Sequence, residues 1–128
     1  MEDFTRLLEA AAAVRRHAYA PYSRFPVGAA LQTADGMIFT GCNIENVSFG
    51  LTVCAERVAC FAAVAAGQKE PVALALVADT PEPPVPCGAC RQVLHEFSPA
   101  MWIVCAGLNG QKRIFRLSEL LPEAFSEF

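Results

Sequence analysis

The sequence has few charged residues for its length, and its basic residues come in no run longer than two. Charged side chains make up 18% of the 128 residues, and the formal net charge is −3. A protein that follows a phosphate backbone normally presents a clustered basic stripe. We therefore expect no nucleic-acid polymer among its partners.

The sequence also lacks a segment that resembles a membrane anchor or a secretory signal. No apolar run approaches the roughly 20 residues needed to cross a bilayer. The first residues, MEDFTRLLEAAAAVRRH, carry acids first and arginines last, the reverse of a secretory signal. We expect a cytoplasmic protein with no membrane partner.

Linkers, repeats and low-complexity tracts are absent too, so we expect one continuous domain over residues 1–128. Hydrophobic residues reach 54%. This is apolar for so short a chain, and it indicates surface that is buried against a partner subunit as well as internally.

Six cysteines are present, but the abundance of apolar residues argues against a disulfide scaffold, which is typical of small domains without a core. Cys42, Cys60 and Cys105 lie in the apolar strings IFTGCNI, VACFAAV and WIVCAGL. Cysteine packs as a small hydrophobe, so we expect these three to be buried free thiols. Cys54, Cys87 and Cys90 remain.

Hydrophobic periodicity and turn signals predict five strands and three main helices. The fold class expected from this order is α/β, a three-layer α/β/α sandwich around a mixed five-stranded sheet. In chain order the predicted elements are a helix over 3–18, a hairpin of strands 27–33 and 37–42, a buried helix over 54–67, a strand over 72–78, a helix over 87–97, a strand over 101–108, an antiparallel strand over 112–117, and a closing helical turn and tail over 118–128.

The three remaining cysteines fall at the starts of two predicted helices. Cys87 and Cys90 are three residues apart and share a helical face, while Cys54 supplies a third thiolate from another helix start. Three protein ligands with an open position are typical of a catalytic zinc. Glu56 can converge on this site only if Cys54 is the helix cap, where the backbone is not yet helical.

Two other interpretations of these cysteines are weaker. A redox pair needs only its own two cysteines in a first βα unit, whereas here the pair comes late and a Cys-Ala-Glu element precedes it. A structural zinc needs a fourth ligand. His95 and Cys60 lie about 140° and 240° around their helices from the nearest ligand, and His17 belongs to the leading helix.

The combination of Cys-Ala-Glu with Pro-Cys-x-x-Cys is the signature of zinc nucleobase deaminases. Over nearly its whole length the chain resembles the short-chain, homotetrameric, zinc-dependent cytidine deaminases. The matching segments are AYAPYSRFPVGAAL (18–31), GCNIEN (41–46), CAER (54–57), PCGACRQV (86–93) and ELLPEAF (119–125).

The resemblance implies hydrolytic deamination of cytidine and 2′-deoxycytidine to uridine and 2′-deoxyuridine in pyrimidine salvage, with one Zn²⁺ per chain lowering the pKa of a bound water to about 7. It implies a homotetramer with shared active sites, in which Phe125 reaches a neighbouring subunit and covers the base. Phe128 is a second large apolar residue of the same tail. The implied roles are catalysis by Glu56, zinc binding by Cys54, Cys87 and Cys90, substrate binding by Phe25, Asn43, Glu45, Ala55 and Phe125, and charge tuning by Arg57.

Three points stay open within this resemblance. Three thiolates bound to Zn²⁺ give the site a net charge of −1. Arg57, with or without Arg91, would offset that negative charge. Phe49 stands where relatives often carry tyrosine. The alternative functions are a related aminopyrimidine deaminase such as blasticidin S deaminase, an inactive zinc-stabilised nucleoside-binding protein, and a polynucleotide deaminase, which the negative charge disfavours.

Overall fold

A mixed five-stranded sheet forms the middle layer of the protein, which we describe from a computed structural model over residues 3–68 and 70–127. The strand order is β2-β1-β3-β4-β5; β3 and β4 are parallel, and the other neighbours are antiparallel. The elements are α1 (Thr5–Val14), β1 (Val27–Thr33), β2 (Ile38–Cys42), α2 (Ala55–Ala65), β3 (Pro71–Ala78), α3 (Gly88–His95), β4 (Trp102–Gly107), β5 (Lys112–Arg116) and α4 (Leu117–Leu120).

Side chains of the central strand β3 alternate between two hydrophobic layers. Leu74 and Leu76 pack in the cluster that contains residues of α2 and α3, whereas Ala73, Ala75 and Val77 pack in the cluster that contains α1. Successive side chains of a strand point to opposite faces, so a continuous apolar run is what a strand covered on both faces requires. The predicted α/β/α sandwich is confirmed.

Two glycines allow helices to lie close to the hairpin strands. A Cβ on Gly28 would stand 1.9 Å from the backbone oxygen of Ala11 in α1, and one on Gly41 would stand 2.4 Å from the backbone nitrogen of Ala59 in α2. Neither contact can be relieved by a side-chain rotation, since both involve backbone atoms. Gly41 therefore sets how closely α2, the helix that follows Cys54, approaches the sheet.

The first helix is shorter than predicted. It spans Thr5–Val14, and a 3₁₀ turn over Arg15–His17 follows it. Asp3 lies before the helix instead of in its first turn, and its Oδ1 accepts a hydrogen bond from the backbone N–H of Thr5 (2.9 Å). The chain thus uses this acid to satisfy a free N–H at the helix start.

The prediction of a buried helix holds on one side of α2. Ala55, Ala59 and Ala63 are buried against the sheet, but Phe61 is 50% exposed and Ala62 is exposed beside it. One sheet can cover only one side of a helix, which leaves an apolar outer side in the single chain. Within the described residues, no helix has both the length and the apolar composition required to cross a bilayer. Phe128, predicted to extend the apolar tail, lies outside the described residues.

Candidate metal centre

Two helix N-termini meet at one point and bring three cysteine sulfurs together. Cys54 is the N-cap of α2 and Cys87 is the N-cap of α3, both with extended backbone conformation (φ −70°, ψ 153° and φ −67°, ψ 165°). Their Sγ atoms and that of Cys90 all lie within 4.8 Å of one another. Over residues 3–68 and 70–127, no other group of three histidine, cysteine or carboxylate side chains is so placed.

Hydrogen bonds and helix ends make this cluster favourable for negative charge. The backbone N–H of Cys90 donates to Cys87 Sγ (3.4 Å), and Arg57 Nη2 donates to Cys54 Sγ (3.5 Å). The pKa of Cys54 is lowered to about 5, mainly by a hydrogen bond from the Cys90 thiol. The hydrogen bond and positive charge of Arg57 lower it further. The pKa of Cys90 is raised because its thiol donates that bond and is buried. Thiolates are stabilised near helix N-termini and cations.

The donor set fits zinc. Zinc binds thiolate sulfur at about 2.3 Å in tetrahedral sites, and three sulfurs less than 4.8 Å apart can surround one ion. The buried Arg57 Nε has no hydrogen-bond partner among the described residues. The hydrogen bond that Arg57 makes through Nη2 goes to Cys54 Sγ, so its positive charge lies beside the cluster. The three cysteines are therefore placed to hold one zinc ion per chain.

The cysteines predicted to be free thiols are separate from this group. Cys42, Cys60 and Cys105 are unpaired and buried, as predicted. Burial raises the pKa of each, and for Cys105 burial together with Glu56 raises the pKa to about 12. None of the three belongs to the three-sulfur group, so they are not placed to bind the same ion.

Glu56 could reach the cysteines only if Cys54 were the cap of its helix, and the structure meets this condition. Cys54 is the non-helical cap, and the Glu56 side chain lines the same pocket as Cys54 and Cys87 while remaining only 5% exposed. Burial, followed by the charge of Cys54, raises the pKa of this carboxyl. A carboxyl with a raised pKa beside a metal site is suited to take up and return a proton.

The pocket beside the cysteines has a volume of about 260 Å³. Phe25, Asn43 and Ala55 line it, and Leu76 and Val85 add apolar wall. That the first three bind substrate stays a prediction. A second hollow of about 360 Å³ shares Ser23 and Thr52 with it and is lined by Tyr22, Glu45 and Phe49.

Asn43 fixes the loop that carries Phe25. Its Oδ1 accepts from the backbone N–H of Val27 (2.8 Å), and its Nδ2 donates to the Phe25 carbonyl (2.9 Å). These two bonds hold the backbone on both sides of residue 26. Asn43 therefore supports the pocket wall as well as lining the pocket.

Glu45 fixes the start of the same loop. Its carboxylate accepts from the backbone N–H groups of Tyr22 (3.0 Å) and Ser23 (3.1 Å) and from the Ser23 hydroxyl, and the hydroxyl bond is the largest cause of a lowered Glu45 pKa. The Phe25 N–H in turn donates to Ser23 Oγ (3.1 Å). Sequence reasoning missed Ser23, although it lies inside the motif YSRF.

Two of the residues considered above lie away from the pocket. Phe125 does not line it and is 69% exposed. The Arg91 guanidinium donates to the carbonyl of Pro86 (2.7 Å) and to that of Leu120 (2.9 Å). Arg91 thus braces the segment before Cys87 against the end of α4, a role that its position in PCGACRQV did not indicate.

Three cysteines grouped at two helix starts beside a buried carboxyl match the ligand and acid pattern of the zinc-dependent deaminases. The sequence model for the cytidine and deoxycytidylate deaminase zinc-binding region matches residues 1–106. The chain belongs to this family.

The chain is similar in sequence to two curated relatives and in sequence and structure to one solved protein. A cytidine deaminase from Halalkalibacterium halodurans is 52% identical over 125 residues, which cover 97% of this chain and 95% of that protein. The crystal structure of a cytidine deaminase from Burkholderia pseudomallei shares 50% identity, with a TM-score of 0.94 over 97% of this chain and 100% of that one. A blasticidin-S deaminase from Bacillus cereus is 32% identical over 104 residues, 75% of this chain and 74% of that protein.

Zinc content distinguishes the three grouped cysteines from the three that lie outside the group, namely Cys42, Cys60 and Cys105. Cys105→Ala should keep one zinc per chain, because that sulfur is buried in the core cluster on β4. Cys87→Ala should lose most of the zinc, because it removes one of the three ligands. Metal analysis of the purified variants reads this out directly, and zinc loss in Cys105→Ala would overturn the ligand assignment.

Proposed function

We propose that this protein hydrolyses cytidine and 2′-deoxycytidine to uridine and 2′-deoxyuridine with release of ammonia, a step of pyrimidine salvage in the cytoplasm. The observation that carries the proposal is the three-thiolate centre with buried Glu56 in one pocket. Similarity to cytidine deaminases along 97% of the chain supports the substrate class. A reducing compartment suits a site built from free thiols.

Replacing the 4-amino group of cytosine by oxygen requires an activated water and a proton relay. Zinc, when bound, supplies the activation by making water acidic enough to ionise near neutral pH. Glu56 would take one proton of the attacking water and pass it to ring N3. It would then carry the second proton, from the hydroxyl added at C4, to the departing amine, so that water and cytidine give uridine and ammonia. The raised pKa of Glu56 suits it to hold the proton between these steps.

Arg57 tunes the charge of the centre. Three thiolates on a divalent ion leave a net charge of −1, which opposes the ionisation of water. The Arg57 guanidinium contacts Cys54 Sγ, and Cys54 and Cys87 are the N-caps of α2 and α3. Cations and helix N-termini both draw negative charge from a thiolate.

The nucleoside extends across both hollows. Ala55 and Phe25 contact the base next to Glu56, and Asn43 of the same pocket and Glu45 of the second hollow bind the ribose hydroxyls. Glu45 has a lowered pKa and is ionised at neutral pH, so it accepts hydrogen bonds from hydroxyls and repels a phosphate. This favours a nucleoside over a nucleotide.

A substrate series tests the function. Ultraviolet loss of cytosine absorbance should be rapid with cytidine and 2′-deoxycytidine. It should be much slower with free cytosine, which leaves the sugar-binding groups unused, and with dCMP, which brings a phosphate near Glu45. Faster turnover of blasticidin S than of cytidine would favour the aminopyrimidine alternative, and no turnover of any of them would favour the nucleoside-binding protein.

Glu56→Gln tests the proton relay. The variant should keep its fold and its zinc, because the amide has nearly the same shape and Glu56 is not a member of the three-sulfur group. Turnover should fall by about 10²- to 10⁴-fold, the usual contribution of a general acid–base group. Near wild-type turnover with zinc bound would refute the role of Glu56.

The active unit is a homotetramer whose sites are completed by neighbouring chains. The outer side of α2 leaves Phe61 exposed, and the loop after β2 exposes Val47, Phe49 and Leu51 at 76%, 72% and 67%. Apolar groups of this size on one chain favour burial against a partner. Phe125 does not line the pocket of its own chain, and we place its ring over the base in a neighbour's pocket, where it excludes water.

Hybrid tetramers test the shared site. Phe125→Ala should raise KM while leaving zinc content unchanged. Mixing Phe125→Ala chains with Glu56→Gln chains, then dissociating and reassembling them, should restore sites in which one chain supplies Glu56 and another supplies Phe125. A monomer by light scattering that is fully active at high dilution would contradict the proposal, as would a mixture no more active than its parts.

A further inference from the structure

The hydroxyl of Ser23 joins the two hollows. Ser23 lines both of them, and its hydroxyl forms one hydrogen bond on each side. It donates to Oε2 of Glu45 in the second hollow, and it accepts from the backbone N–H of Phe25 (3.1 Å) in the pocket beside the cysteines. A single oxygen therefore connects the side proposed to hold the sugar with the side proposed to hold the base.

The hydrogen bonds to Glu45 leave one oxygen of its carboxylate partly free. A carboxylate offers about four acceptor sites, shared between its two oxygens. Among the described residues, the backbone N–H groups of Tyr22 (3.0 Å) and Ser23 (3.1 Å) donate to Oε1, and the Ser23 hydroxyl donates to Oε2. The free site of Oε2 lies next to that hydroxyl, so the Ser23 bond sets the direction in which Glu45 can accept from a ribose hydroxyl.

The backbone between Ser23 and Phe25 has a conformation that needs support. Arg24 lies in the left-handed region at φ 56°, which is uncommon for a residue with a side chain and persists where neighbouring contacts determine it. Its N–H donates to the Ala20 carbonyl (2.9 Å), and the Ser23 hydroxyl holds the N–H of the next residue. The Phe25 carbonyl accepts from Asn43 Nδ2 (2.9 Å), so both backbone groups of Phe25 are held.

We propose that Ser23 is a positioning residue that couples the sugar contact of Glu45 to the base contact of Phe25. This inference rests on the proposed function, since it requires that these two residues bind the nucleoside. Ser23 acts through them, because its one O–H is given to Glu45 and one of its two acceptor sites is taken by Phe25. Loss of the hydroxyl would loosen both contacts at once and leave the three-sulfur group untouched.

Ser23→Ala is the primary test, because it removes both bonds at an exposed residue whose loss should not unfold the chain. We expect KM for cytidine to rise about 5- to 20-fold, within the range for one bond to a charged group and one neutral bond. The kcat should change less than KM, and zinc content should stay the same. Ser23→Thr keeps the hydroxyl and should recover most of the loss. Ser118→Ala makes the same change at an exposed serine that lines neither hollow and should match the wild type. An unchanged KM in Ser23→Ala would overturn the inference.

A variant cycle measures the coupling itself, with Glu45→Gln and Phe25→Ala made singly and together. If the Ser23 hydroxyl links the two residues, their effects on kcat/KM should not multiply while Ser23 is present, and they should multiply in a Ser23→Ala background. Effects that multiply in both backgrounds would contradict the inference. Coupling that survives Ser23→Ala would contradict it as well, since the link would then run through the backbone bonds from Tyr22 and Ser23 to Glu45.

A measurement without substrate separates this inference from the proposed function. The bond from the Ser23 hydroxyl is the largest cause of the lowered Glu45 pKa, so Ser23→Ala should raise that pKa toward its ordinary value, as followed by carbon NMR of the carboxyl group. Hydrogen exchange of the Phe25 amide should become faster, because its N–H loses its acceptor. If either stays at its wild-type value, the Ser23 hydroxyl does not join the two residues. Both NMR changes with wild-type KM would reject the positioning role alone, whereas a wild-type protein that turns over no cytidine would reject the proposed function and the inference with it.

Discussion

The meeting of two helix N-termini at Cys54 and Cys87 is the constraint on which the rest of the structure depends. Both cysteines are caps with extended backbone, so their side chains turn toward each other instead of lying along the helices. The same geometry places positive helix ends beside the sulfurs, and the backbone N–H of Cys90 donates to Cys87 Sγ. It also lets Glu56, two residues after Cys54, line the same pocket.

Packing contacts elsewhere in the molecule fix the positions of the two helix starts. Gly41 allows α2 to lie against the hairpin at backbone distance, and parallel pairing of β3 with β4 leaves α3 as the crossover between them. Arg91 then braces the carbonyl of Pro86, directly before Cys87, against α4. Each contact limits the movement of a helix start, and a metal site with three ligands requires that precision.

Sequence patterns predicted the parts that depend on local spacing. The apolar run that forms β3, the hairpin of β1 and β2, and the helix starts near Cys54 and Cys87 were predicted from periodicity and turn chemistry, with bounds that differ by a few residues from the structure. The bonds from Asn43 and Glu45 to the loop at 22–27, and from Gln92 to Phe125, join residues 16 to 33 positions apart. Such side-chain to backbone bonds leave no periodic pattern, so only the folded chain reveals them. The motifs contained these residues but did not specify their partners.

The most direct test of the account is the coordination of zinc in the purified protein, measured by X-ray absorption at the zinc edge. We predict three sulfur ligands at about 2.3 Å and one light oxygen ligand at about 2.0 Å, the arrangement of a site that keeps one position open. Substitution of Cys54 should reduce the sulfur count while substitution of Cys60 leaves it unchanged. Four sulfur ligands would indicate a closed structural site, and a shell dominated by nitrogen or oxygen would contradict the three-thiolate centre altogether.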